Sequence, residues 1–181
     1  MTEKGARTMP KTEYVIEPGK QEIISTTILD APRELVFKAY TDPKLFAQWW
    51  GPRRYEVQID KFDSRRGGEW RVIHRGADGS EFGFRGVNHD VVAPERICAT
   101  FEYEGVPGHV ALQTATFEAL GNKTRLVAHQ VFQSVLDRDG MVASGMQEGA
   151  DESMDRLAEL LETMKSSKLS MTSTRTSRLR P

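Results

Sequence analysis

The chain has 181 residues, 38% hydrophobic and 28% charged, which suits one folded domain and excludes wholesale disorder. Its formal charge of -1 is unevenly spread: the end from Ser166 carries Lys168, Arg175, Arg178 and Arg180 without an acid, so the body is acidic and a poor match for nucleic-acid phosphates. No apolar run approaches the roughly 20 residues of a membrane span, residues 1–20 lack a secretory apolar stretch, and the lone Cys98 excludes an internal disulfide or a multi-cysteine metal site; these features point to the cytoplasm.

Residues 1–20 and 166–181 read as disordered ends, because their composition offers little apolar surface to bury. Between them, 21–165 forms the domain. Glu22–Leu29 is β-branched and predicts a first strand. Asp30 and Pro32 then suit the start of a helix carrying Leu35, Val36, Ala39 and Tyr40. Asp42-Pro43 breaks it, and a second short helix ends at Trp49-Trp50-Gly51-Pro52.

From Arg53 to Phe132 the apolar period becomes two. Strands are predicted at Tyr55–Phe62, Glu69–Arg75, Phe82–Val92, Arg96–Tyr103, Val110–Leu120 and Thr124–Phe132. Short Gly-, Asp- and Pro-containing turns separate them, which implies an antiparallel meander. A long helix over Asp137–Met164 follows, with Met146, Ala150, Met154, Leu157, Leu161 and Met164 on one stripe. The predicted fold is therefore α+β, a helix-grip arrangement. A curved antiparallel sheet of about seven strands, the first set apart by two short helices, wraps the C-terminal helix.

Alternation of charged positions assigns the faces of each strand. It points Trp70, Val72 and His74 inward, then Phe84 and Asn88, then Phe101 and Tyr103. Gln113, Gln130 and Phe132 join them from the last two strands. On the facing helix, Met146, Gly149 and Met154 complete a candidate ligand-binding lining. Gly145, Gly149 and Ser153 form a row of small residues there. Glycine within a helix costs about 1 kcal/mol against alanine, so the row implies either close helix–sheet contact or space left open above the sheet. The polar group of His74, Asn88, Gln113 and Gln130 can satisfy itself, hold water or contact a ligand. Asp90 shares the parity of Asn88, which leaves a carboxylate near His74 open. The histidines fall on different strands and supply no converging metal ligands. No cofactor or metal is implied.

Several pieces resemble the bacterial branch of the START-related SRPBCC superfamily that is similar to the C-terminal domain of the activator of Hsp90 ATPase. They are Ala31-Pro32-Arg33-Glu34-Leu35-Val36-Phe37, Trp49-Trp50-Gly51-Pro52, Gly67-Gly68-Glu69-Trp70-Arg71 and Pro94-Glu95-Arg96-Ile97. Ser144-Gly145-Met146, Gly149 and Glu152-Ser153 through Arg156-Leu157 continue the match in the last helix. The resemblance implies the helix-grip fold and a hydrophobic cavity between sheet and long helix. It carries no shared catalytic motif, and its bacterial members resemble binding or stress-related proteins.

Three functions follow. The leading one is binding of a small apolar or amphipathic molecule. The second is an enzyme of cyclase or hydrolase type with His74 as base and Tyr103 or Asn88 orienting a carbonyl. The third is a module that engages a chaperone partner through its outer surface. Oligomeric state is left open.

Overall fold

The computed structural model describes residues 9–177, with side chains through residue 167. The β-branched run makes a strand, Glu22–Leu29 (β2), preceded by a short one, Thr12–Val15 (β1). Two helices follow, Arg33–Thr41 (α1) and Pro43–Trp49 (α2). The meander comprises Tyr55–Phe62 (β3), Glu69–Gly76 (β4), Glu81–Val92 (β5), Arg96–Tyr103 (β6), Val110–Leu120 (β7) and Lys123–Val131 (β8). Helices Val135–Ala143 (α3) and Met146–Ser177 (α4) end the described chain. The eight strands among the described residues form one antiparallel sheet in the order β1-β2-β8-β7-β6-β5-β4-β3. It curves around the C-terminal helix in the helix-grip manner.

The main core lies where the sheet meets α1, α2 and α4. Leu157 and Leu161 of α4 are 0% and 1% exposed, and they join Val36, Phe46, Trp49, Val72, Phe117 and Leu126 in one cluster. The indole N–H of Trp49 donates to the Ala39 carbonyl at 3.0 Å, so this large ring is buried without an orphaned donor. Asp42 caps α2 by accepting from the Lys44 and Leu45 amides, with Pro43 at the first helical position. No described helix is long and apolar enough to cross a membrane.

Four features differ from the sequence reading. The segment 1–20 contains β1, an edge strand paired with β2 from Thr12↔Thr27 to Val15↔Ile24. Four alternating residues among charges and glycine gave too short a period to register. Pro32, not Asp30, occupies the N-cap of α1. The single helix predicted over Asp137–Met164 is two. Gly145 adopts φ +79°, a left-handed conformation that glycine takes without steric penalty and that ends α3. The small-residue row thus loses Gly145, and only Gly149 and Ser153 remain on α4. Finally, α4 stays helical through Ser177, beyond its last apolar stripe residue, so the backbone from Ser166 to Ser177 is not the irregular tail that composition suggested. Residues 1–8 and 178–181 lie outside the described chain.

Candidate functional site: an uncharged cavity under the long helix

The floor of the site is made by small residues on the inner face of the sheet. Register places Ala99 opposite Gln113, Gln113 opposite Gln130, and Ala115 opposite Ala128. Alanine at these central positions leaves room where larger side chains would meet the helix. The roof comes from Gly149, Ala150, Ser153 and Met154 of α4 and from the Trp50-Gly51-Pro52 turn. Between them lies a cavity of about 370 Å³. That is within the roughly 300–1,000 Å³ of small-molecule sites. A neighbouring chamber of about 120 Å³ shares Tyr40, Trp50, Gln113 and Ala115 with it. No Asp, Glu, Lys or Arg lines either space.

The structure brings most of the expected lining together. His74, Phe84, Phe101, Gln113, Gln130, Met146, Gly149 and Met154 border the larger cavity. Trp70 and Asn88 border the smaller one. Three expected residues border neither. Val72 is 0% exposed within the main cluster, and Phe132 packs with Ile23 and Ala111 in a second one. Tyr103 lies toward the end of its strand, its ring over Gly105, where an added Cβ would meet Tyr103 Cζ at 2.4 Å. Strand parity chooses a face but not a position along it, so it selected all three. Parity missed Ser25 and Tyr14, which also border the cavity. Ser25 shares the inward parity of Ile23 and Thr27 and was legible. Tyr14 lay in a segment read as disordered.

Asp90 does not approach His74. A register shift between Asn88 and Asp90 turns the carboxylate outward, where it pairs with Arg96. His74 is 5% exposed, and no carboxylate bonds it. Its ring stacks on Tyr55 at 5.6 Å and tilts against Trp50 at 4.8 Å. Nε2 has no hydrogen-bond partner and faces Gly51, where an added Cβ would lie 2.4 Å from it. Burial, with help from the Arg156 and Arg54 charges, pushes the imidazole down to about 4 against an opposing backbone hydrogen bond at Trp50. The imidazole is therefore neutral at pH 7, with its Nε2 buried against Gly51.

The turn after α2 is held from α4. Ser153 Oγ accepts the Gly51 amide at 2.9 Å, and Arg156 donates to the Gly51 carbonyl at 2.6 Å and the Gln48 carbonyl at 2.8 Å. Glu152 Oε1 accepts the Arg53 amide at 3.0 Å. These bonds satisfy backbone groups at the end of α2 and fix the wall on which Trp50 stands. Ser153 and Arg156 are thus site-building residues that face patterning alone did not reveal. Gly149 has room for a methyl group. An added Cβ would meet only Pro52, at 3.5 Å to its Cγ. Gly149→Ala is therefore expected to stabilise the protein by about 1 kcal/mol, read as a higher urea midpoint. A lower midpoint would mean that Pro52 is pressed tightly on α4.

A family model described as Activator of Hsp90 ATPase homolog 1-like protein matches residues 30–162. No curated protein matches the chain. Among solved structures, a Chromobacterium violaceum protein is similar at 27% identity and TM-score 0.71, over 78% of this chain and 97% of its own. A Rhodobacter sphaeroides protein reaches TM-score 0.78 at 22% identity, over 84% of this chain and 99% of its own. An Arthrobacter aurescens protein gives 0.77 at 22%, over 83% and 91%. At such identities the last two likenesses carry the fold alone. The family model spans most of the chain, and the chain belongs to the Activator of Hsp90 ATPase homolog 1-like family.

Proposed function

We propose that this protein binds a small apolar or amphipathic molecule between its sheet and α4, in the cytoplasm, without chemistry of its own. The observation that carries the reading is the cavity of about 370 Å³ with aromatic, methionine and alanine walls and no charged side chain. The state of His74 favours binding over catalysis. A general base needs a route to its substrate and a partner that orients it, whereas Nε2 here abuts Gly51 and no carboxylate supports the ring.

Uptake of phenylnaphthylamine, a dye that brightens in apolar surroundings, tests the reading. Wild type should bind it with one site per chain, and native mass spectrometry of freshly purified protein should show a co-purified small molecule. Gly149→Leu places a side chain in the open space beneath α4 and should weaken dye binding by about tenfold or more, the equivalent of about 1.4 kcal/mol. Dye uptake that Gly149→Leu leaves unchanged would move the site elsewhere. No uptake by wild type would overturn the proposal.

A further inference from the structure

Two glutamines stand side by side on the cavity floor. Gln113 and Gln130 are directly opposed on β7 and β8, and both border the cavity. Neither side-chain amide has a hydrogen-bond partner in the described protein, although every amide carries two donors and an acceptor that require partners when water is excluded. The hydroxyls of Tyr40 and Ser25, which border the same space, likewise bond to nothing in the described chain. Apart from His74 Nε2, which abuts Gly51, and the indole N–H groups of Trp50 and Trp70, the remaining polar side chains nearby are satisfied within the protein. Thr12 pairs with Thr27 at 2.9 Å, Ser153 bonds the Gly149 carbonyl, and Asn88 donates to the Asp63 carbonyl. The unmet amide and hydroxyl capacity thus belongs to Gln113, Gln130, Ser25 and Tyr40, along the wall where β2, β8 and β7 lie beside α1.

We propose that this wall recognises the head group of the ligand, and that the ligand is a neutral molecule whose polar end is a carbonyl, amide or hydroxyl. This rests on the reading of the cavity as a ligand site and narrows the class of molecule it takes. The charge of the ligand follows from what the walls lack. A buried carboxylate or ammonium needs an opposite charge, and no ionic side chain borders the space. The Arg156 guanidinium behind the roofing turn is spent on the Gly51 and Gln48 carbonyls, and the Asp151 carboxylate accepts from the Tyr14 hydroxyl. His74 is neutral, and burial keeps the Tyr40 hydroxyl protonated. A neutral acceptor can take an N–H from each glutamine and the Tyr40 hydroxyl. A neutral donor can give to the amide oxygens. An apolar body fills the space over Ala99, Ala115 and Ala128.

Three probes with one common body separate the head group from the body: methyl naphthyl ketone, naphthalene and naphthoate, titrated calorimetrically into the full chain at neutral pH. The ketone should bind about tenfold tighter than naphthalene and naphthoate. Gln113→Leu with Gln130→Leu should remove the preference of ketone over naphthalene while leaving naphthalene binding in place. Met at both positions serves as a second pair that keeps length and removes the amides, should the Leu pair fail to fold. Naphthoate binding as tightly as the ketone, or a ketone preference that survives loss of both amides, would overturn the head-group assignment. If phenylnaphthylamine binds and the wild-type ketone preference is absent, the assignment falls while the cavity reading stands. If that dye is not taken up either, both fall.

Discussion

Gly51→Ala should destabilise the protein by about 3 kcal/mol, the sum of two penalties at one atom. The first is conformational. Gly51 has φ +88°, a left-handed geometry that costs an L-residue about 1–2 kcal/mol. The second is steric. A Cβ there would lie 2.3 Å from His74 Cε1 and 2.4 Å from Nε2, inside van der Waals contact, and overpacking of this kind costs about 1–3 kcal/mol. The ring has little freedom to yield, because Trp50, Tyr55 and Phe84 enclose it. The two penalties are separable. In a variant that also carries His74→Ala the steric part disappears, so the double variant should lose less than the sum of the singles by about 1–3 kcal/mol. Chemical denaturation of the four proteins measures both quantities. A Gly51→Ala change within about 0.5 kcal/mol of wild type would contradict the geometry of the turn.

Acidification should weaken the wild-type protein by up to about 3 kcal/mol more than His74→Gln as the pH falls from 6.5 to about 4. The folded imidazole holds its proton only near 4, against 6.5 for the free side chain. Between these values the unfolded chain binds a proton that the folded chain refuses, and unfolding gains by that difference. Above 6.5 both states are neutral, and the stability linked to this group is fully present. Below about 4 both are protonated, and the loss levels off. The carboxylates titrate in the same range, so the informative quantity is the difference between wild type and a variant that lacks only this group. Parallel pH profiles for the two proteins would place His74 in a wetter setting than its 5% exposure implies.

Strand positions were legible in the residues, and the reasons are local. Tyr55–Phe62, Arg96–Tyr103 and Val110–Leu120 coincide with their predicted limits, because period-two patterning and turn residues act within a few positions. What escaped depends on a single dihedral or on a distant partner. The break at Gly145 rests on one positive φ inside a sequence that keeps its helical apolar period. The outward turn of Asp90 needs one irregularity of register, which inverts parity downstream. β1 is stable only because β2 and α4 are there to receive it: Tyr14 donates to Asp151 Oδ1 at 2.9 Å. For the site, parity found the polar pair Gln113 and Gln130 but not the clamp of Ser153 and Arg156. The clamp joins residues about a hundred positions apart through backbone atoms that carry no sequence signature.

The order of the strands also sets how much chain each contact must close. From β3 to β8 each strand lies beside its neighbour in sequence, so this part of the sheet closes through short turns. β2 is different. Its Ile24 pairs with His129, and the cavity is roofed only when α4 returns to meet a turn that left the ribosome about a hundred residues earlier. Contacts of such long separation reward the chain last, after their loops have been closed. Enclosing the hydrophobic chamber therefore closes longer stretches of chain than any hairpin of the meander does.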